Sequence, residues 1–286
     1  MNFNLEKVEY IDIHSHLNFK DYKENLSQIL KRMKENKVAT ICVGTDLEES
    51  LEAKKIAEEN DNVLYSIALH PHDNLKEFDF AFENQEKYFS DLREISKSEK
   101  CVTVGECGLD YFYISKEFEG GELVFQKERQ KEIFKRHIEL ALDLGLPLML
   151  HIRPSEIDGN REDAYLDAIE ILKEYRVRGN FHFFTSTKKI MEDILENLPD
   201  FSFSIPAVCT FTDEYDEMIK AIPLDKIHIE TDSPFVLPKN KRKEAKQNEP
   251  SFVIEVFEKV CEIRKFEDRD KFKNVLKENF EKMFLK

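Results

Sequence analysis

The chain has 286 residues and a mass of 33.8 kDa, which allows one large domain or two ordinary ones. Hydrophobic residues make up 41% and charged residues 35%, which excludes disorder throughout, because a sizeable core can be buried. No apolar run approaches the roughly 18 residues that span a bilayer, and the first ten residues lack the order of a signal peptide, so we expect a soluble, cytoplasmic protein.

The formal net charge of −15 argues against a passive nucleic-acid binder or a membrane-surface protein. An enzyme that binds phosphate through divalent cations is still compatible with this charge, because such ions make the local charge positive. The five cysteines are scattered and include no CxxC pair, which argues against a disulfide framework.

Short apolar runs rich in Val and Ile alternate with longer amphipathic stretches along the whole chain. The runs predict eight strands, at Tyr10–His16, Val38–Gly44, Val63–Leu69, Cys101–Glu106, Pro147–Ile152, Asn180–Phe184, Phe201–Ile205 and Lys226–Thr231. The stretches predict helices near Asn25–Asn36, Glu48–Glu59, Glu83–Ser98, Val124–Leu144, Asp163–Tyr175, Thr187–Asn197, Asp213–Ala221 and Glu249–Arg264, with a last one near Asp268–Phe284.

Apolar strands without clean alternation are typical of a parallel sheet that is covered on both faces. Eight strand–helix pairs in a chain of this length favour an α/β fold of the TIM-barrel type, (β/α)8, over an open doubly wound sheet. No linker rich in Ser, Gly or Pro divides the sequence. We therefore predict a single domain over residues 1–286 with an extra C-terminal helix.

Polar residues that can bind metals stand at the predicted carboxyl ends of five strands. His14 and His16 share one face of the first strand, because side chains at i and i+2 point the same way. The other four are Glu106, His151, His182 and Asp232. In a barrel of this type the catalytic groups lie at these strand ends, so six such residues together predict a metal centre.

Four histidines and two carboxylates are too many ligands for one closed site and suit two divalent ions about 3.5–4 Å apart. Imidazole-rich coordination favours zinc or an ion of similar softness over calcium, although magnesium or manganese could serve in turnover. Such ions acidify a bound water and so provide a hydroxide nucleophile. Asp232 is placed to accept the proton of that water and pass it to the leaving group.

These motifs resemble the TatD family of metal-dependent hydrolases in the amidohydrolase superfamily. The resemblance rests on Asp12-x-His-x-His16, Gly105-Glu-x-Gly-Leu-Asp-Tyr111, Glu230-Thr-Asp-Ser-Pro234 and Asn248-Glu-Pro250, in order over nearly the whole chain. Ala68-Leu-His-Pro-His72 and the stretch from Gln126 to Leu146, leading into His151-x-Arg153, are further family-like segments. The family commonly has small residues where this chain has Phe183 and Ser186.

The resemblance implies a deoxyribonuclease-like hydrolase that cleaves phosphodiester bonds of DNA at a binuclear metal site. One ion would be held by His14, His16, Glu106 and Asp232, and the other by Glu106, His151 and His182. His70 and Arg153 would face the substrate phosphate. No membrane and no obligate protein partner is implied.

Two other functions remain open. The family includes members that resemble deacylases acting on D-aminoacyl-tRNA, and the same centre can cleave a carboxylic ester. A non-catalytic metal-binding barrel is the third interpretation.

Several further polar residues have a structural interpretation beside the functional one. We expect a structural role for His137, a packing role or a supporting role behind the metal ligands for His228, and no metal binding by Cys107. Asp12 either orients a histidine or belongs to a barrel layer. His72 either orients the loop after the third strand or contacts substrate.

The segment Lys239–Lys246 carries five basic residues in a net-acidic chain. It is either a basic rim that steers a phosphodiester strand or a solvated mobile loop.

Overall fold

The computed structural model describes residues 3–72 and 75–285 and contains one eight-stranded parallel sheet with the strand order β1 to β8. The strands are β1 Tyr10–Ser15, β2 Val38–Cys42, β3 Val63–Ile67, β4 Cys101–Asp110, β5 Leu148–Arg153, β6 Gly179–Phe181, β7 Phe201–Ile205 and β8 Ile227–Ile229. The predicted (β/α)8 barrel is therefore confirmed. The ends of the predicted domain, residues 1 and 286, lie outside the described residues.

Helices connect the strands and cover the outside of the barrel. They are α1 Leu26–Glu35, α2 Leu47–Glu59, α3 Leu75–Glu83, α4 Gln85–Ile95, α5 Tyr111–Glu117, α6 Gly120–Leu144, α7 Asp163–Leu172, α8 Lys188–Asn197, α9 Asp216–Ala221, α10 Val253–Arg264 and α11 Arg269–Phe280. No helix in these two described ranges is both long and apolar enough to cross a membrane.

The sequence prediction missed α3 and α5 and ended β4 too early. In α3 the aromatic residues Phe78, Phe80 and Phe82 follow one another at every second position, which obscures the helical period. Strand β4 continues to Asp110 because the glycine at 108 lets it run alongside β5, where a side chain would collide with the carbonyl oxygen of His151.

The barrel closes between β1 and the segment that follows β8. The His16 N–H donates to the Ser233 carbonyl at 2.8 Å, and the Asp232 N–H donates to the His14 carbonyl at 3.0 Å. Asp12, fully buried, accepts from the Thr231 N–H at 2.8 Å and from the Thr231 hydroxyl at 2.7 Å. These contacts support the barrel-layer interpretation of Asp12 and bring His14, His16 and Asp232 together.

The C-terminal helix closes the opposite end of the barrel. Phe280, Met283 and Phe284 pack into the cluster of inward-facing side chains that includes Ile11 and Ile13 of β1. His228 is buried there, with its ring 5.7 Å from that of Phe284, in agreement with the packing role expected for it.

His137 ties helix α6 to the end of β3. Its Nε2 atom accepts from the Leu69 N–H at 3.0 Å, and its Nδ1 atom lies 2.9 Å from the Ile133 carbonyl oxygen. Burial lowers the pKa of His137 to about 4. The role expected from the sequence, packing rather than catalysis, agrees with these contacts.

The lowered pKa of His137 predicts a loss of stability in mild acid. The unfolded chain takes up the proton below about pH 6.5 while the folded chain resists it until about pH 4, so stability falls as the pH falls through that window. We expect a contribution of about 2 kcal/mol between pH 7 and pH 5. Urea unfolding of the wild type and of His137→Gln at both pH values isolates the contribution of His137 to the free energy of unfolding, because the two proteins share all other titrating groups. An equal loss in both proteins would contradict the prediction.

Candidate metal centre

Four of the predicted residues meet at the carboxyl end of the barrel around a common point. The Nε2 atom of His14 lies 3.2 Å from that of His16, 3.2 Å from Glu106 Oε2 and 3.7 Å from Asp232 Oδ1. The Nε2 atom of His16 lies 3.6 Å from Glu106 Oε2 and 3.5 Å from Asp232 Oδ1. Apart from Asp232, at 13% side-chain exposure, these side chains are almost completely buried.

These separations fit a metal ion at the common point. Metal–ligand bonds of about 2.1 Å in a tetrahedron separate neighbouring ligand atoms by roughly 3.4 Å. The five distances above fall between 3.2 and 3.7 Å. Two imidazoles and two carboxylates are also a donor set that suits a divalent transition ion.

A second cluster forms on the other oxygen of Glu106. Its Oε1 atom lies 2.6 Å from His151 Nδ1 and 2.7 Å from His182 Nε2. The Nε2 atom of His70, which the sequence prediction assigned to the substrate phosphate, approaches the same oxygen at 3.6 Å and therefore belongs to this cluster in the structure. Glu106 therefore has one oxygen facing each cluster, which is the geometry required of a carboxylate that bridges two ions.

Burial and neighbouring charges set the protonation of this centre. Burial opposes ionisation of Glu106. The positive charge of His182, His14 and His70 has the larger effect and holds the pKa of Glu106 well below its usual value. Burial disfavours the charged form of His151, yet Asp110 and Glu106 raise its pKa to about 9. Burial likewise disfavours the charged form of His182, yet Glu106 and Glu230 raise its pKa, so we expect metal binding at these two histidines to release protons.

The metal content of two histidine variants tests which residue completes the second cluster. Because His182 Nε2 lies 2.7 Å from the Glu106 oxygen and His70 Nε2 lies 3.6 Å away, we expect His182→Ala to lose one equivalent of metal. We expect His70→Ala to keep two equivalents and to raise the KM for a phosphodiester. Elemental analysis after dialysis measures the first effect, with His72→Ala as the matched control. Loss of one equivalent from His70→Ala alone would assign the second ion to His70.

Two carboxylates behind the candidate ligands were given no role of their own in the sequence analysis. Glu230 is fully buried; its Oε1 atom accepts from the Phe183 N–H at 2.7 Å and lies 3.4 Å from His182 Nδ1. Asp110 lies 3.0 Å from His151 Nε2. The spacing in the sequence could have indicated both residues. Glu106 and Asp110 are four positions apart, and Glu230 and Asp232 are two apart. Residues at such even spacings point to the same side of an extended strand.

Two further residues follow the structural interpretation. Cys107 is buried, with its sulfur 3.9 Å from the carbonyl oxygens of Val104 and Met149, and belongs to neither cluster. The His72 ring stacks on Tyr113 at 4.4 Å, and its Nε2 atom lies 3.6 Å from Glu117 Oε1, so it orients the loop after β3.

A cavity of about 520 Å³ opens onto both clusters. Its size is typical of a small-ligand site. Of the six non-glycine residues with positive φ in the described ranges, four line this cavity: Glu156, Phe183, Asp232 and Val236. Strained backbone of this kind concentrates at functional sites, where the surrounding structure enforces it.

Two arginines provide positive charge at the cavity. Arg153 lines it, and its guanidinium lies 3.8 Å from the ring centre of Phe112 and 5.0 Å from that of Tyr113. Arg161 also lines the cavity and pairs with Glu214 across the opening at 3.0 Å. The sequence prediction named Arg153 for the substrate phosphate, and its position at the cavity is compatible with that role.

The basic segment Lys239–Lys246 begins three residues after Val236, which lines the cavity. Lys241 pairs with Glu255 at 3.1 Å, and the Arg242 guanidinium lies 4.3 Å from the ring centre of Phe211. Two of its basic side chains are therefore packed against the body of the barrel.

The fold and this histidine- and carboxylate-lined site define a metal-dependent hydrolase of the barrel type. The family model described as "TatD related DNase" matches residues 11–285, and the chain belongs to this family. It is 32% identical over 277 residues to the uncharacterized metal-dependent hydrolase YabD of Bacillus subtilis, covering 96% of this chain and 98% of that protein.

Two further comparisons agree. The uncharacterized metal-dependent hydrolase YcfH of Escherichia coli K12 is 28% identical over 283 residues, covering 96% of this chain and 95% of that protein. The crystal structure of YjjV, a TatD homolog from Escherichia coli K12, superposes with a TM-score of 0.78 at 23% identity, covering 98% of this chain and 99% of that one. This structural similarity supports the assignment of the fold alone.

Proposed function

We propose that this chain is a deoxyribonuclease that uses two divalent metal ions to hydrolyse phosphodiester bonds of DNA. Zinc is the metal that best suits the histidine-rich donor set. The observation that carries the proposal is the position of Glu106, with one carboxylate oxygen in each donor cluster. Membership in the family described as "TatD related DNase" supports the choice of substrate.

Each residue has a defined role in this proposal. His14, His16, Glu106 and Asp232 would hold one ion, and Glu106, His151 and His182 the other. Divalent ions bound there supply Lewis acidity and lower the pKa of water towards neutrality. Asp232 accepts a proton from the attacking water through its carboxylate and delivers it to the leaving oxygen. His70 and Arg153 hold the phosphate by donating hydrogen bonds to its oxygens.

The net charge of −15 opposes the approach of DNA, so local positive charge must offset it. Arg153 provides such charge at the cavity, where Arg161 is already paired with Glu214, and bound cations would add to it. A short single strand or a DNA end suits a cavity of this size better than continuous duplex does.

Metal content and nuclease turnover, measured before and after chelation, test the proposal. We expect about two equivalents of metal, cleavage of a single-stranded oligonucleotide, loss of cleavage on chelation and recovery on adding metal back. Two equivalents with cleavage of a D-aminoacyl ester and no phosphodiester turnover would replace the nuclease with a deacylase. Metal binding with neither activity would favour a non-catalytic barrel.

Neutralising part of the basic segment tests whether it steers the substrate. We expect the triple change Lys241→Gln, Arg242→Gln and Lys243→Gln to weaken cleavage of an oligonucleotide and to flatten its dependence on salt, because it removes three positive charges from a segment close to the cavity. A control with the same change in charge lies on the C-terminal segment at the other end of the barrel: Lys271→Gln, Lys277→Gln and Lys282→Gln. Unchanged kinetics in the first variant would exclude steering.

A further inference from the structure

The segment after β6 sends two adjacent phenylalanines in different directions. Phe184 packs in the core, with its ring centre 4.6 Å from that of Phe203 and 5.7 Å from that of Tyr165. Phe183 is half-buried and lines the cavity. Its φ of +47° lies in the left-handed region, where a large side chain is unfavourable. The fold therefore maintains an unfavourable conformation at a residue that faces the site.

Three consecutive amides fix this conformation. The His182 N–H donates to the Leu150 carbonyl on β5 at 3.1 Å, and the Phe184 N–H donates to the Ser204 carbonyl on β7 at 3.1 Å. Between them the Phe183 N–H donates to Glu230 Oε1 at 2.7 Å, while the Ser204 hydroxyl donates to Glu230 Oε2 at 2.5 Å. These hydrogen bonds tie the backbone of residues 182–184 to β5, to β7 and to the buried carboxylate of Glu230.

The Phe183 ring lies beside the donor clusters. Its centre is 6.0 Å from that of the His182 ring, and His182 in turn reaches the oxygen of Glu106. Asp232 and Arg153 line the same cavity. A group attached to a phosphate bound between the donor clusters and Arg153 would therefore lie close to the Phe183 ring.

We infer that Phe183 is a specificity-determining residue that stacks on a planar group, a nucleobase, next to the bond that is cleaved; this inference rests on the proposed function. An aromatic face offers no hydrogen bonds that distinguish one base from another, whereas every base presents a π face to it. The residue thus selects nucleotides that carry a base over those that lack one, and it does not select a base sequence.

Two trinucleotides and two variants test the inference on the metal-loaded enzyme. One substrate is trithymidylate, and the other carries abasic tetrahydrofuran residues at both ends. We expect wild-type kcat/KM to favour trithymidylate by roughly five- to a hundredfold, as stacking of one base allows. Phe183→Asn should bring this ratio close to one, because asparagine tolerates the left-handed conformation and has no ring. Phe183→Tyr keeps the ring and should keep the ratio.

The ratio separates stacking from a structural role. A variant that only misfolds loses kcat/KM on both substrates by the same factor, so a wild-type ratio in Phe183→Asn would overturn the inference. Loss of the ratio in Phe183→Tyr would overturn it as well. Equal metal content in both variants, measured by elemental analysis, shows that the donor clusters are intact. If the wild type cleaves neither the trinucleotides nor a longer single-stranded oligonucleotide, the proposed function itself fails, and this inference fails with it; cleavage of the longer strand with equal kcat/KM on both trinucleotides would overturn this inference alone.

Discussion

Asp232→Asn is expected to lower the kcat for DNA hydrolysis by about 10²- to 10⁴-fold, the range typical for loss of a positioned general base. The amide can neither accept the proton of the attacking water nor supply the negative charge that Asp232 brings to the candidate metal centre, although it resembles the carboxylate in shape. Steady-state cleavage of a single-stranded oligonucleotide at saturating metal measures the effect.

The fold is expected to survive this substitution. The Asp232 N–H donates to the His14 carbonyl through the backbone, and asparagine tolerates the φ of +52° found at this position. The matched control is Asp225→Asn, which makes the same change at an exposed position near the start of β8 and should turn over normally. Full activity in Asp232→Asn would exclude Asp232 as the base.

Glu106→Gln is expected to reduce the metal content from about two equivalents to one or fewer and to abolish turnover. The substitution removes the negative charge shared by both clusters and replaces one ligand oxygen with an amide nitrogen that cannot bind a cation. Elemental analysis of dialysed protein measures the loss, and Glu196→Gln on the exposed side of α8 is the matched control.

Thermal unfolding gives a second measurement of the same effect that does not depend on activity. Metal that binds only the folded state stabilises it by about 2.7 kcal/mol at a hundredfold excess over its dissociation constant. The Tm of the wild type should therefore fall on chelation, and that of Glu106→Gln should change far less. Two equivalents of metal in Glu106→Gln would refute the bridging position of Glu106.

The barrel, and the meeting of most of the candidate ligands at one end of it, could be predicted from local patterns. The spacing of His14 and His16 on one strand places both rings on one face, whatever the rest of the fold does. The polar residues Glu106, His151 and Asp232 each interrupt or end an apolar run. Because the carboxyl ends of parallel barrel strands share one end of the barrel, such residues converge.

Residues whose roles depend on contacts between distant segments could not be assigned in this way. Asp12 had two equally supported interpretations until the closure of the barrel set it against Thr231. His70 lies in a loop, and no periodicity predicts how far its ring reaches towards Glu106. The register between β4 and β5 likewise decides that Asp110 meets His151.

The sequence by itself determined the fold class, the end of the barrel at which the polar residues meet and the chemical type of those residues, because these follow from period and residue type. Only the tertiary structure decided which oxygen of Glu106 faces which histidines. It also decided that Phe183 faces the cavity while its neighbour Phe184 faces the core. Such distances of a few ångströms depend on strand register, barrel closure and backbone strain, which are properties of the whole packed chain.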